Sequence, residues 1–223
     1  MKRTIEIRAA EGGEDSKLFV MDLAQAYVRM SERLGWRYQL GSPRLGEAYI
    51  HVEGPNLTQL ENEVGGHRIQ RVPPTERKGR VHTSTVTVAI IDPTRPVIEV
   101  KEQDLKVEWY SGTGCGGQNR NKVQSSCRLT HIPTGIVVTA QTRSRTNSYN
   151  QALTTIQQRV DQITQQMYNN EVAQDRKQQV GTGMRGDKIR TYRFQDDTVK
   201  DHVSNRTANL KKIMTGQFEL LWN

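Results

Sequence analysis

Apolar residues recur along this chain in two rhythms, every second residue and every third to fourth, and the switches between them mark its elements. Residues 4–8 alternate as a short strand. Gly12, Gly13, Glu14 and Asp15 then open a helix running to about Leu34, with acidic residues on its positive end and Gly35 as its stop. Val20, Leu23, Tyr27, Met30 and Leu34 share one face, the pattern of core packing. Residues 37–40 and 49–53 predict strands. Residues 66–88 predict two strands around a loop, with Ile69 and Val72 on one arm and Val86, Val88 and Ile90 on the other. Between them lies Pro73-Pro74-Thr75-Glu76-Arg77-Lys78-Gly79-Arg80, a proline-stiffened, charged tip. Residues 92–96 punctuate the chain as a loop.

A second unit starts near Leu105. Residues 105–110 predict a strand leading into a glycine-rich loop, and residues 127–131 and 136–140 two more strands, joined by the turn Ile132-Pro133-Thr134-Gly135. A long helix is expected from about Ser148, a candidate N-cap. Its apolar stripe, Ile156, Val160, Ile163 and Met167, is expected to seal against this sheet. Residues 178–186 predict a flexible hinge, followed by a strand over 188–194 and a short helix over 210–214. The fold class is α+β.

Lysine and arginine number 32 against 24 acidic residues, a net charge of +8. This favours a polyanionic partner over acidic lipid, since no basic amphipathic helix with a bulky apolar face stands out. Charge alone leaves a basic, solvated surface equally open. No apolar run suits a membrane span or a signal peptide, so a cytoplasmic location is expected, with no membrane partner. Cys115 and Cys127 could form one disulfide, but that would clamp the glycine loop, and reduced thiols are expected. Cys127 and His131 lie too far apart on one strand to chelate an ion, and no complete ligand set is present, so neither metal nor cofactor is expected.

The charge concentrates around one segment, Ser111-Gly112-Thr113-Gly114-Cys115-Gly116-Gly117-Gln118-Asn119-Arg120-Asn121-Lys122. Glycine permits close approach of backbone to a ligand. From Trp109 to Val160 there is no Asp or Glu, while Arg120, Lys122, Arg128, Arg143, Arg145 and Arg159 fall in that span. A glycine loop on a cationic platform suits a phosphate backbone. On spacing alone the glycine run is also compatible with an ordinary turn, and each arginine with a solvated surface cation. Gln118 is a neutral amide, neither nucleophile nor general base, so any catalysis here acts through position and dipole.

Several blocks together resemble the bacterial class I peptide chain release factors. They are Ile5-Glu6-Ile7-Arg8-Ala9 with Gly12-Gly13; Gly65-Gly66-His67-Arg68-Ile69-Gln70-Arg71-Val72-Pro73-Pro74-Thr75-Glu76; Gly79-Arg80-Val81-His82-Thr83-Ser84; Gly116-Gly117-Gln118; Thr130-His131-Ile132-Pro133-Thr134-Gly135-Ile136; and Val180-Gly181-Thr182-Gly183 with Asp187-Lys188-Ile189-Arg190-Thr191-Tyr192. They stand in the family's order. Pro73-Pro74-Thr75 matches the Pro-x-Thr tripeptide of the type that reads UAA and UAG. Two departures stand out. The family's N-terminal helical domain, about a hundred residues long, has no counterpart, and Asn119-Arg120 replaces the usual His-Val.

The resemblance implies stop-codon-dependent hydrolysis of the ester joining nascent peptide to transfer RNA, carried out with the ribosome. Gly116, Gly117 and Gln118 are then catalytic, with the Gln118 backbone N–H donating to the oxyanion on the ester carbonyl. Gly12 and Asp15 at the helix tip, through backbone, Pro73, Pro74 and Thr75 in the loop, His82 as a stacking ring, and Gln70 and Thr83 at the third base would read the codon. Arg120, Lys122, Arg143 and Arg145 would hold the loop against ribosomal RNA. Gln179, Gly181, Gly183 and Arg185 resemble the family's switch loop. Residues 1–103 with 179–223 would form a codon-recognition domain and residues 104–178 the catalytic domain. Implied partners are ribosomal RNA, the stop codon of the message, the P-site peptidyl-tRNA and a methyltransferase acting on Gln118; a monomer is expected. The alternative is a rescue hydrolase that releases peptides from stalled ribosomes without a stop codon, a reading suggested by the shortened architecture and Asn119-Arg120. A non-catalytic RNA-binding or competitor protein is a third reading.

Overall fold

The computed structural model describes residues 1–41, 44–94, 96–114 and 117–222, with the backbone alone at Asn119 and Arg120. The chain divides into two compact α+β units, Met1–Thr94 with Val172–Asn223, and Arg95–Glu171.

The first unit is built on an eight-stranded sheet. Its strands are β1 (Lys2–Ala9), β2 (Arg37–Leu40), β3 (Glu47–Glu53), β4 (Gly65–Arg71), β5 (His82–Ile91), β9 (Arg190–Arg193), β10 (Thr198–Asp201) and β11 (Thr207–Asn209), in the order β11-β10-β9-β4-β5-β1-β3-β2. All neighbours are antiparallel except β4 and β9. The helix α1 (Gly13–Arg33) carries Phe19, Val20, Leu23, Tyr27 and Met30, all fully buried, and these pack with Ile5, Ile7, Ile50, Ile69, Val86 and Val88. The i, i+3, i+4 stripe of α1 and the period-two rows of the strands are therefore the two halves of one core. A second helix, α4 (Leu210–Met214), is capped by Asn209, whose side chain accepts from the N–H groups of Lys211 and Lys212.

This core contains a buried ionic cluster that apolar periodicity does not announce. A 3-10 turn, Leu57–Glu63, delivers Glu63 to the interior. Glu63 accepts from Tyr27 Oη at 2.9 Å, Arg190 Nη1 at 2.5 Å and Trp222 Nε1 at 2.5 Å. Arg190, fully buried, also donates through Nε and Nη2 to Asp201 at 3.1 and 2.9 Å. His67 lies beside them. Its Nε2 donates to the Glu63 carbonyl at 2.9 Å, so its Nδ1 accepts from Tyr192 Oη, also at 2.9 Å. This is the neutral imidazole.

Burial, reinforced by the Arg190 charge, pushes His67 down to about 4. Between that value and the unfolded one of about 6.5 the native chain holds less proton than the unfolded chain, so unfolding takes up a proton there. The contribution is complete above about pH 6.5 and is lost as pH falls toward 4, on the order of 3 kcal/mol in all. Thermal melts taken across this window should show falling stability with acidification, and His67→Gln should flatten that part of the slope. An unchanged slope in the variant would refute the assignment.

The second unit has three antiparallel strands, β6 (Leu105–Tyr110), β7 (Ser126–His131) and β8 (Ile136–Ala140), in that order. Cys127, Leu129, Val138 and Ala140 pack with Ala152 and Ile156 of the long helix α3 (Arg145–Val180). Cys127 is a free, buried thiol, and burial raises its pKa.

Three details of α3 differ from the pattern of its sequence. It starts at Arg145, so Ser148 is no N-cap; its buried hydroxyl instead accepts from the Thr142 N–H at 3.0 Å. Its buried stripe, Ser148, Ala152, Ile156, Val160 and Thr164, ends before Met167, which is 56% exposed. And Gln178, Gln179 and Val180, expected in a hinge, form its last turn, which stops at Gly181 in the left-handed region, φ 62°. The polar hairpin of β10 and β11 had no apolar rhythm by which to find it.

Candidate nucleic-acid interface

The end of the β4–β5 pair carries the loop expected to read a codon. Antiparallel register sets Arg71 opposite His82 and Gln70 opposite Thr83. Opposed residues share a face, so His82 stands on the face turned to α1 while Gln70 and Thr83 stand on the other. These candidates are thus adjacent in the sheet but split between its two sides. Pro73 is buried, whereas Pro74, Thr75 and His82 are exposed. A turn closes the tip, with the Glu76 N–H donating to the Pro73 carbonyl at 3.0 Å.

Glu76 fixes this tip, a role its sequence context did not reveal. Its carboxylate accepts from the Lys78 N–H at 2.7 Å, from Arg80 at 3.1 Å and from His82 Nε2 at 2.8 Å. The Lys78 N–H, with help from His82 and Arg80, holds its carboxyl below the usual carboxylate range. The His82 ring is therefore held by one edge and is 45% exposed, which suits an aromatic stacking contact. Among the described residues no side-chain partner is seen for Gln70, Thr75 or Thr83. Their donors and acceptors are open to a ligand.

The α1 tip is set against this loop by side chains that are themselves fully engaged. Gly12, φ 127°, lies so close to Ser84 that a Cβ there would overlap the serine. Asp15 is buried, and its two oxygens accept from Arg71 Nε at 2.7 Å and Ser84 Oγ at 3.0 Å. Arg71 also reaches Asp22 at 2.8 Å and lies over the rings of Phe19 and Phe194. Asp15 therefore positions the tip, and its side chain is not offered outward. What the tip does present is backbone: no side chain caps the first N–H groups of α1.

The segment resembling a switch loop begins on α3. Gln179 uses its amide as a strand would, accepting from the Ile90 N–H at 2.8 Å and donating to the Ile90 carbonyl at 2.9 Å. Gly181 and Gly183 both have positive φ, 62° and 66°. The Arg185 N–H donates to Glu11 Oε2 at 3.1 Å, and its guanidinium lies 3.5 Å from the same carboxylate.

In the second unit the glycine loop leaves β6 and enters a short helix, α2 (Gln118–Lys122). Gly116 and Cys115 lie outside the described residues, as does the side chain of Arg120. Gly117 and Gln118 are exposed. A Cβ on Gly117 would meet nothing within 4 Å, and its φ is outside the left-handed region. Neither backbone strain nor crowding within the chain calls for glycine there. Gln118 opens α2, where its N–H has no intrahelical partner.

Around this loop Arg145 lies over the Trp109 ring, 4.2 Å from its centroid, at the positive end of α3. Lys122 and Arg143 are exposed, with no ion pair among the described residues. The platform is not wholly acid-free in space: Glu108, just before the acid-free stretch, lies 4.0 Å from Arg128. The net result still favours an anion, since no acidic residue sits in the first turn of α3 to oppose its dipole.

Residues 1–88 match the PCRF domain and residues 92–203 the RF-1 domain. The chain is 41% identical to peptide chain release factor 1 of Thermotoga maritima, over 98% of this chain and 67% of that protein. It is 42% identical to the protein of the same name from Symbiobacterium thermophilum, over 96% of this chain and 63% of that one. Among solved structures it is similar to RF2 of Thermus thermophilus, with a TM-score of 0.54 and 28% identity, covering 98% of this chain and 65% of that one. The chain thus spans about two thirds of the length of these relatives. Two domain models that together take in most of the sequence, and over 40% identity along nearly all of it, place the chain in the peptide chain release factor family.

Proposed function

We propose that this chain terminates translation, hydrolysing peptidyl-tRNA on the ribosome in response to UAA and UAG. The observation that carries the reading is the fingertip at Pro73 to His82, where a buried proline and the Glu76 clamp hold an imidazole and a threonine hydroxyl outward, beside open polar groups on Gln70 and Thr83. A preorganised set of unspent donors and acceptors is what reading base edges needs. Thr75 reads the first two bases, the backbone of the helix tip near Gly12 and Asp15 meets the first uracil, His82 stacks on the codon, and Gln70 with Thr83 meets the third base. Base–aromatic stacking of this kind is worth about 1–3 kcal/mol.

Hydrolysis falls to the Gly116-Gly117-Gln118 loop. Water attacks the ester carbonyl carbon, the oxyanion forms, and the bond to the ribose oxygen breaks, leaving a free peptide acid and a tRNA hydroxyl. The Gln118 N–H stabilises the oxyanion, and one such preorganised donor contributes about 3–4 kcal/mol. The Gln118 side chain shapes the pocket for the water. Arg120, Lys122, Arg143 and Arg145 bind ribosomal RNA. Residues 179–185 act as the switch between reading and cutting. The chain works as a monomer where ribosomes translate, in the cytoplasm, and exposed Gln118 is accessible to a glutamine methyltransferase, which would add one methyl mass to that peptide.

Codon-resolved release on purified termination complexes tests the reading. Release is expected on UAA and UAG, with UGA and a sense codon slower by orders of magnitude. Release only on UGA would overturn the codon assignment. Equal release on a sense codon or an empty A site would establish the rescue hydrolase instead.

A further inference from the structure

The sheet of the first unit has a second face, turned away from α1. There β4 carries Arg68 and Gln70, β9 the exposed Arg193 and the buried Thr191, and β10 Thr198 and Lys200. Register sets them side by side, with Gln70 next to Arg193, Arg68 next to Thr191, and Thr191 next to Lys200. His202 joins them, its Nε2 2.8 Å from Thr191 Oγ1.

The patch is crowded with like charge. Burial, then the cations Lys188, Arg68 and Lys200, push His202 below its ordinary value, and burial with Arg193 does the same to Arg68. The Nε of Arg68 is buried with no hydrogen-bond partner. The one carboxylate ion-paired within the patch among the described residues is Asp196, a loose and exposed 3.9 Å from Arg193. An anion on this face would relieve the repulsion.

The path of the message supplies that anion. The α1 tip and His82 stand on one face, Gln70 and Thr83 on the other. A codon read from its first base at Gly12 to its third at Gln70 crosses the end of the β4–β5 pair and emerges on the second face. The next phosphates then meet Arg193, one strand over from Gln70, and beyond it Arg68 and Lys200.

We propose that Arg68, Arg193, Lys200 and His202 form a docking surface for the single-stranded phosphate backbone of the message immediately 3′ of the codon. The inference rests on the codon-reading function above and extends it.

The test compares half-saturating concentrations for release on two messages, one ending at the third nucleotide of UAA and one carrying a single-stranded tail beyond it. The tail should tighten wild-type engagement. The exposed double variant Arg193→Glu/Lys200→Glu should lose that gain, with a salt slope shallower by about 1.4 on the tailed message, which is about sevenfold between about 50 and 200 mM salt for two phosphates. The milder Arg193→Gln/Lys200→Gln should lose part of it, guarding against a folding defect in the reversed pair. Equal weakening on both messages would assign these cations to ribosomal RNA and overturn the proposal, as would a wild type indifferent to the tail. A wild type that releases from neither message would instead refute the termination reading itself.

Discussion

Gly117→Ala is expected to slow peptide release by about a hundredfold or more while leaving the fold and ribosome binding intact. In the free chain an alanine fits at this position, because its Cβ meets nothing within 4 Å and no left-handed φ has to be held. By reducing the freedom of the unfolded chain it should even add about 0.4–1 kcal/mol to stability. The defect arises only when a substrate arrives. In the reaction proposed above the ester carbonyl approaches the Gln118 N–H, and the added methyl would stand next to that donor. Losing one oxyanion donor costs about 10²–10³ in rate. Single-turnover release at saturating protein, paired with competition for the ribosome and a thermal melt, separates the effects. A rate within about threefold of wild type would show that the glycine serves no close approach. A large drop in melting temperature would show that it serves the fold.

Arg190→Met is expected to be the most destabilising single change in the first unit. The guanidinium is fully buried and holds Glu63 and Asp201 at once. Methionine keeps much of the shape but leaves two interior carboxylates without their cation. Breaking a buried pair from one side costs about 3–5 kcal/mol, which lowers the melting temperature by about 6–20 °C for a unit of this size. The remaining donors to those carboxylates, Tyr27, Trp222 and the N–H groups of Val203 and Ser204, limit the damage without replacing the charge. Adding Glu63→Gln and Asp201→Asn to Arg190→Met should recover part of the loss, since a neutral cluster of the same shape carries no unpaired charge. A single variant melting within about 2 °C of wild type would mean that the cluster contributes little.

Much of this molecule was legible along the chain because its signals are local. The stripe of α1 and the alternation of β1 and β5 follow from the periods of helix and strand, and the structure buries most of those residues, but Leu34 is only half-buried and Val72, expected beside Ile69, lies past the end of β4 and is exposed. The glycine loop was legible from composition, and the structure leaves Gly117 and Gln118 exposed. In places the local pattern misled. Ser148 looks like a helix cap, yet the helix begins a turn earlier and spends that hydroxyl on Thr142. Met167 continues the apolar spacing of α3, but the buried stripe ends at Thr164 and leaves it in water. Glu76 looked like one more charge on a polar loop until Lys78, Arg80 and His82 converged on it.

The sequence by itself determined most of the strands and helices, though not the β10–β11 hairpin or the ends of α3, and it determined where the backbone is bare of side chains and which residue types are available for reading bases. Only the tertiary structure decided which polar groups are spent inside and which are left for a partner. Asp15 is taken by Arg71, 56 residues away, and Glu63 by Arg190, 127 away, while Thr75, Gln70 and Thr83 stay open. A side chain's chemistry is fixed by its type, but its partner is fixed by chain closure over long separations, and no local period encodes that.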